Sequence, residues 1–148
     1  MQIMIDTIYT DGSCIGNPGP GSWGWLGYSN GTLITKYRGT TTSTTNNQME
    51  LQAMIESLKF LKNNPETKPV RIFTDSEYVY KGITQYVTRW RSNGRKLSNK
   101  QPVKNLELWK CLVDLLDQPT CLEWKWVKAH ANSVSNNQVD RWARDGVI

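Results

Sequence analysis

Four carboxylates occupy local settings that suit metal-ion chemistry. They are Asp11 in Tyr9-Thr10-Asp11-Gly12-Ser13, Glu50 in Asn46-Asn47-Gln48-Met49-Glu50-Leu51, Asp75 in Phe73-Thr74-Asp75-Ser76 and Asp140 in Gln138-Val139-Asp140. Hard anionic oxygens held by separate elements of a rigid scaffold are what Mg²⁺ requires. The chain carries a formal net charge of +5, so acidic residues at strand ends and helix starts are not there to solubilise it. Basic residues elsewhere can draw in a polyanion. Together the two signals point to metal-assisted cleavage of a nucleic acid.

Taken one at a time, each signal also has an ordinary structural explanation. Asp-Gly and Asp-Ser are common turn and cap pairs. Asn47-x-x-Glu50 can close a capping box, in which Glu50 serves only its own helix; Thr45-x-x-Gln48 offers an equally good box that leaves Glu50 available. Glu50 precedes Met54 by one turn and can lean toward a sheet. Asp140, in the second turn of a short helix, also suits the positive end of the helix dipole. His130, the single histidine, fits a structural role as readily as a catalytic one.

Composition narrows the class. A length of 148 residues reads as one domain over 1–148, large enough for a core without staples. No apolar run approaches the roughly 18 residues of a membrane span. The start of the chain has neither a basic region nor a cleavage site, so no signal peptide is expected. Cys14, Cys111 and Cys121 are an odd number at no zinc-like spacing, which indicates free thiols and a cytoplasmic location. Arg89, Arg91, Arg95, Lys96, Lys100 and Lys104 form a basic stretch with no acidic residue among them.

The elements that must position these groups follow from periodicity. Ile5–Cys14 reads as a strand with Ile5, Thr7, Tyr9 and Asp11 on one face. After a loop over Gly16–Gly21, Trp23–Ser29 and Leu33–Gly39 form a hairpin through Asn30-Gly31. A helix runs from about Asn46 to Lys62, with Leu51, Met54, Ile55, Leu58 and Leu61 as its buried stripe. Val70–Asp75 is a strand reached through a helical crossover, so it pairs in parallel. Helical segments over Ser76–Gly82, Thr84–Trp90 and Leu106–Leu116 precede a strand over Leu122–Val127, whose Trp124 and Trp126 are expected in the core. A short helix from about Asn136 closes the chain. The expected architecture is α/β: a mixed five-stranded sheet, three antiparallel strands then parallel additions, flanked by helices. If the Asp11 and Asp75 strands are neighbours, their carboxylates lie side by side, and a divalent cation relieves the repulsion.

In combination the motifs resemble type 1 ribonuclease H over the whole chain. Thr10-Asp11-Gly12-Ser13-Cys14 with Gly16-Asn17-Pro18-Gly19, Thr44-Thr45-Asn46-Asn47-Gln48-Met49-Glu50-Leu51, Thr74-Asp75-Ser76 and Val127-Lys128-Ala129-His130-Ala131 look like that family's blocks in its order. Asp140 falls where the family keeps its last carboxylate. The resemblance implies a ribonuclease H-like fold and endonucleolytic hydrolysis of the RNA strand of RNA–DNA hybrids, leaving 5′-phosphate and 3′-hydroxyl ends. It also implies two Mg²⁺ during catalysis, with Mn²⁺ as a substitute: Asp11 bridging both, Glu50 and Asp75 completing one site and Asp140 the other. His130 becomes an accessory for proton transfer or product release. Gly12, Ser13, Cys14, Asn17, Asn46, Asn47 and Glu77 become contacts to the hybrid, and Ser43, Thr45 and Asn105 a pocket for a DNA-strand phosphate. Tyr86, Trp90, Arg91, Arg95, Lys96 and Lys100 resemble the basic protrusion that grips the DNA strand.

Several positions depart from the pattern. Glu77 stands where Gln is common, Ser43 where Arg is frequent and Asn137 where an acidic residue is common, which implies weaker or more salt-sensitive binding. The final helix has only two or three turns, so Asp140 is expected to be held less firmly. The protrusion implies a free-standing, bacterial-type enzyme, monomeric and without an obligate protein partner or membrane; the sequence is compatible with a cellular or a viral source. Two other readings stand beside this one. A DNA-directed nuclease of related fold would not need the Cys14–Asn17 and Asn46-Asn47 motifs, and a non-enzymatic hybrid-binding module would be expected to lack a carboxylate.

Overall fold

The frame is set by a tight hairpin. Asn30 and Gly31 both adopt positive φ, 52° and 81°, the geometry that joins two antiparallel strands with a two-residue turn. The Asn30 amide is further held by Asp6 Oδ2 at 2.7 Å. The computed structural model describes residues 4–87 and 105–128. Its elements in chain order are β1 (Thr7–Cys14), β2 (Gly19–Ser29), β3 (Thr32–Thr44), α1 (Asn46–Asn63), β4 (Val70–Thr74), α2 (Glu77–Lys81), α3 (Leu106–Leu116) and β5 (Leu122–Trp126). The strands form one sheet in the order β3-β2-β1-β4-β5. β1, β2 and β3 pair antiparallel, while β4 pairs parallel to both β1 and β5. The mixed five-stranded sheet expected from the sequence is therefore present.

Boundaries differ where glycines and threonines were ambiguous. β2 begins at Gly19 and β3 runs on to Thr44, because the β-branched residues Thr40, Thr41, Thr42 and Thr44 favour extended chain. The register shifts between Gly19 and Gly21, and Pro20 sits in that irregularity, where its missing N–H is tolerated. Ile5 lies outside β1, so strict alternation does not reach it. It joins Ile8 in the core rather than the Tyr9 face. The two helical segments expected after Asp75 are continuous: α2 passes into a π turn over Gly82–Tyr86.

One face of the sheet carries α1 and α3. Leu51, Met54, Ile55, Leu58 and Leu61 are buried as expected, against Ile8, Trp25, Val70 and Ile72 from the strands and Trp109, Leu112 and Val113 from α3. Tyr9 lies on the other face, where it stacks on Phe73 at 4.7 Å and meets Tyr28 edge-on at 5.7 Å. Trp124 packs against the core from partial burial, but Trp126 is 42% exposed, which corrects the expectation for that residue. It is the last residue of β5, which among the described residues is an edge strand paired on one side.

Replacing Leu58, fully buried, with Ala leaves a cavity and is expected to cost about 2–5 kcal/mol, whereas Leu33→Ala on the exposed part of β3 should change stability by less than about 0.5 kcal/mol. Urea denaturation of both variants measures the difference; equal midpoints would mean that the α1 stripe is not the core.

Candidate active site

Asp11 lies within β1, three residues before the strand's end, as the expected strand places it, and the turn alternative for Asp-Gly does not apply. The glycine beside it serves packing instead. A Cβ built on Gly12 would fall 2.4 Å from Glu50 N and from Met49 C, so the start of α1 rests directly on the β1 backbone. That approach delivers Glu50 to Asp11. The Gly12 amide donates to Asp11 Oδ1 at 2.9 Å and to Glu50 Oε1 at 2.7 Å, pinning both carboxylates with one N–H. β4 lies alongside β1 in parallel, with Thr10 opposite Thr74, and Asp75 follows directly. One carboxylate oxygen from each of Asp11, Glu50 and Asp75 lies within 4.8 Å of the others.

Both local alternatives for these residues are resolved. Thr45 caps α1, its side chain accepting from Gln48 N, so Glu50 is not spent on its own helix. Ser76, not Asp75, caps α2, accepting from Val79 N at 3.1 Å. Asp11 and Glu50 are 3% and 8% exposed. Their second oxygens, Asp11 Oδ2 and Glu50 Oε2, are buried and no hydrogen bond reaches them among the described residues. Three clustered carboxylates with oxygens oriented by a shared amide are a donor set that fits a hard divalent cation.

The other expected contacts gather at the same end of the sheet, around the end of β1 and the first turns of α1, α2 and α3. Asn17 Oδ1 accepts from Asn46 N at 3.0 Å, which ties the loop after β1 to the head of α1. Cys14 Sγ lies 2.8 Å from Gly16 O and 3.3 Å from Thr44 O. Ser13 follows Gly12 on β1, and Asn47 is exposed in the first turn of α1. Ser43 is exposed near the end of β3, and Asn105 precedes α3. Glu77 begins α2 and forms an ion pair with Lys81 one turn on, so its charge does not stand alone. The Gly12 amide is committed to the two carboxylates. Tyr86 falls on the π turn. His130, Asp140, the helix expected from about Asn136, and Trp90, Arg91, Arg95, Lys96 and Lys100 lie outside the described residues.

Tyr78, left without a role by the sequence, and Gln48, expected only in a capping box, also reach this end. Tyr78 receives hydrogen bonds from Asn105 Nδ2 at 3.2 Å and from Trp109 Nε1 at 2.9 Å, and Gln48 Nε2 donates to Asn105 Oδ1 at 3.3 Å. Partners so far apart in the chain leave no local sequence signal.

The sequence model of the family described as RNase H matches residues 5–148. Ribonuclease H of Methylobacillus flagellatus is 47% identical over 155 residues, covering 99% of this chain and 94% of that protein. Ribonuclease H of Bradyrhizobium diazoefficiens is 45% identical over 147 residues, covering 99% and 92%. Among solved structures, LC9-RNase H1, a type 1 RNase H with the type 2 active-site motif, superposes with a TM-score of 0.81 at 29% identity, covering 99% of this chain and 74% of that one. The chain belongs to the ribonuclease H family.

Mutual repulsion within the cluster makes a simple prediction. Without metal, Asp75→Asn removes one of three adjacent charges, an interaction of about 1 kcal/mol or more, and should raise the melting temperature by about 2–4 °C. Calorimetry in EDTA tests it, and an unchanged or lower value would show that the carboxylates do not repel appreciably. Gly12→Ala should act oppositely, lowering stability because its Cβ meets helix backbone.

Proposed function

We propose that this member of the ribonuclease H family hydrolyses the RNA strand of RNA–DNA hybrids as an endonuclease, leaving 5′-phosphate and 3′-hydroxyl ends. The observation that carries the reading is the convergence of Asp11, Glu50 and Asp75, from three separate segments, to within 4.8 Å in a chain of this family. Asp11, Glu50 and Asp75, with Asp140, would hold Mg²⁺, for which Mn²⁺ could substitute. The bound ions supply an activated water and neutralise charge on the scissile phosphate.

The protein's own groups hold and orient. The Gly12 N–H fixes Asp11 and Glu50. Asn17 uses its side-chain carbonyl on Asn46 N, which leaves its amide hydrogens for the 2′-hydroxyl that separates RNA from DNA. Gly12, Ser13, Cys14, Asn46, Asn47 and Glu77 line the same contact, and the Glu77–Lys81 pair offsets the charge that Glu77 brings. Thr45 accepts from Gln48 N at 3.2 Å, so its hydroxyl hydrogen remains for a DNA-strand phosphate, beside Ser43 and Asn105. His130 assists proton transfer or product release. Tyr86, Trp90, Arg91, Arg95, Lys96 and Lys100 grip the DNA strand.

The enzyme is a monomeric single domain over 1–148. Among the described residues, the exposed large hydrophobics Met4, Ile15, Leu33, Tyr37 and Trp126 are spread over several elements, which supports the reading of no obligate partner. Three free cysteines support a reducing, cytoplasmic setting, and no helix among the described residues is long and apolar enough to cross a membrane.

The deciding experiment is cleavage of an end-labelled RNA–DNA hybrid in Mg²⁺, beside duplex DNA, EDTA and Asp75→Asn controls. Internal RNA cuts by the wild type alone are expected; cutting of duplex DNA would favour a DNA-directed nuclease instead. His130→Ala should slow turnover without abolishing it. Each of Arg91→Ala, Arg95→Ala and Lys96→Ala should lower the log–log salt slope of hybrid binding by roughly one.

A further inference from the structure

Asn105 precedes α3 in an unusual way. Its φ and ψ are 59° and 38°, left-handed rather than extended, and its side chain makes no capping hydrogen bond. An Asn at this position normally turns its side-chain oxygen onto the first amides of its own helix. Here the amide is diverted to partners far away in the chain: Oδ1 accepts from Gln48 Nε2 at 3.3 Å and Nδ2 donates to the Tyr78 hydroxyl at 3.2 Å. Asn is one of the few L-residues that adopt the left-handed conformation readily, and here it turns the side chain away from the helix it precedes.

The bonds share one direction. Thr44 Oγ1 donates to Gln48 Oε1 at 2.9 Å, Gln48 to Asn105, and Asn105 to Tyr78, where Trp109 Nε1 also donates. A half-turn of the Asn105 amide alone would set Nδ2 against Gln48 Nε2, donor to donor, whereas the Tyr78 hydroxyl can accept or donate; Gln48 sets the orientation and Tyr78 holds the place. The chain also uses up acceptors: Gln48 Oε1, Asn105 Oδ1 and the Tyr78 oxygen are all engaged. What remains on Thr45, Gln48, Asn105 and Tyr78 is hydrogens, a set that suits an anion. Tyr78 itself is seated firmly. Its ring meets Trp109 edge-on at 5.7 Å, and a Cβ on Gly82, one turn later, would lie 2.0 Å from Trp109 Cη2.

We propose that Tyr78 is a positioning residue for substrate binding: with Gln48, its hydroxyl holds the Asn105 side chain where an amide N–H meets a DNA-strand phosphate. This rests on the reading of Asn105 as part of the phosphate pocket. The clamp also spans two of the three segments that carry the clustered carboxylates, since Gln48 lies two residues before Glu50 and Tyr78 three after Asp75. The phosphate grip and the metal cluster are thereby set in one register.

Steady-state cleavage of an RNA–DNA hybrid in Mg²⁺, well below the melting temperature of every variant, tests the clamp. Tyr78→Phe keeps the ring against Trp109 and removes only the hydroxyl. The KM should rise about fivefold, as for a weakened hydrogen bond to a charged group, with kcat within about twofold. Gln48→Leu, which loosens the amide from its other side, should do the same. Asn105→Ala should raise KM too, and Tyr78→Phe should add nothing in that background, as coupled residues behave. If Asn105→Ala leaves KM unchanged, the pocket assignment fails and the clamp with it. If Asn105→Ala raises KM but Tyr78→Phe and Gln48→Leu do not, or if the effects are fully additive, the pocket stands and the clamp is wrong. A loss of melting temperature alone, without the KM change, would assign Tyr78 only to accepting the Trp109 bond.

Discussion

The close seating of α1 on β1 is the constraint on which the catalytic end of the molecule depends. A helix packed on a sheet at ordinary distance would leave Glu50 too far from Asp11 to share a ligand. Only the absence of a Cβ at Gly12 lets the helix backbone settle on the strand, and the same residue then supplies the N–H that holds both carboxylates. Packing and chemistry are joined at one position: the contact that buries the first turns of α1 is the contact that assembles the acidic site.

Parallel pairing of β1 with β4 supplies the third carboxylate. The crossover through α1 is what makes the pairing parallel, and it brings Asp75 to the same end of the sheet as Asp11. The buried stripe of α1 therefore has two tasks. It stabilises the domain, and it fixes where the two aspartate-bearing strand ends lie relative to the helix start. The clustered negative charge is an opposing cost that the core must outweigh until a cation binds.

Much of this was legible in the residues. The Asn-Gly hairpin, the α1 stripe and the mixed character of the sheet follow from patterns that the fold leaves intact, whereas the strand order that sets β4 beside β1 does not. The carboxylates were recognisable because their neighbours are restrictive in type. Local reading gave no sign of the packing role of Gly12, because a glycine that clears space for a helix 38 positions away looks the same in sequence as one that bends the chain. It missed the clamp around Asn105 for the same reason. Trp126 was misread because alternation reports which side of a strand a residue faces, not whether anything lies over it at an edge.

The cluster draws on residues 11, 50 and 75, which come together only through long-range pairing. Contacts between residues so distant in the chain are entropically costly to form and are made late when a domain folds. A growing or partly folded chain can complete the β1–β3 hairpins, whose contacts are local, well before β4 docks beside β1. Hydrolytic competence is therefore a property of the finished sheet, because the cluster exists only where the crossover has set β4 beside β1.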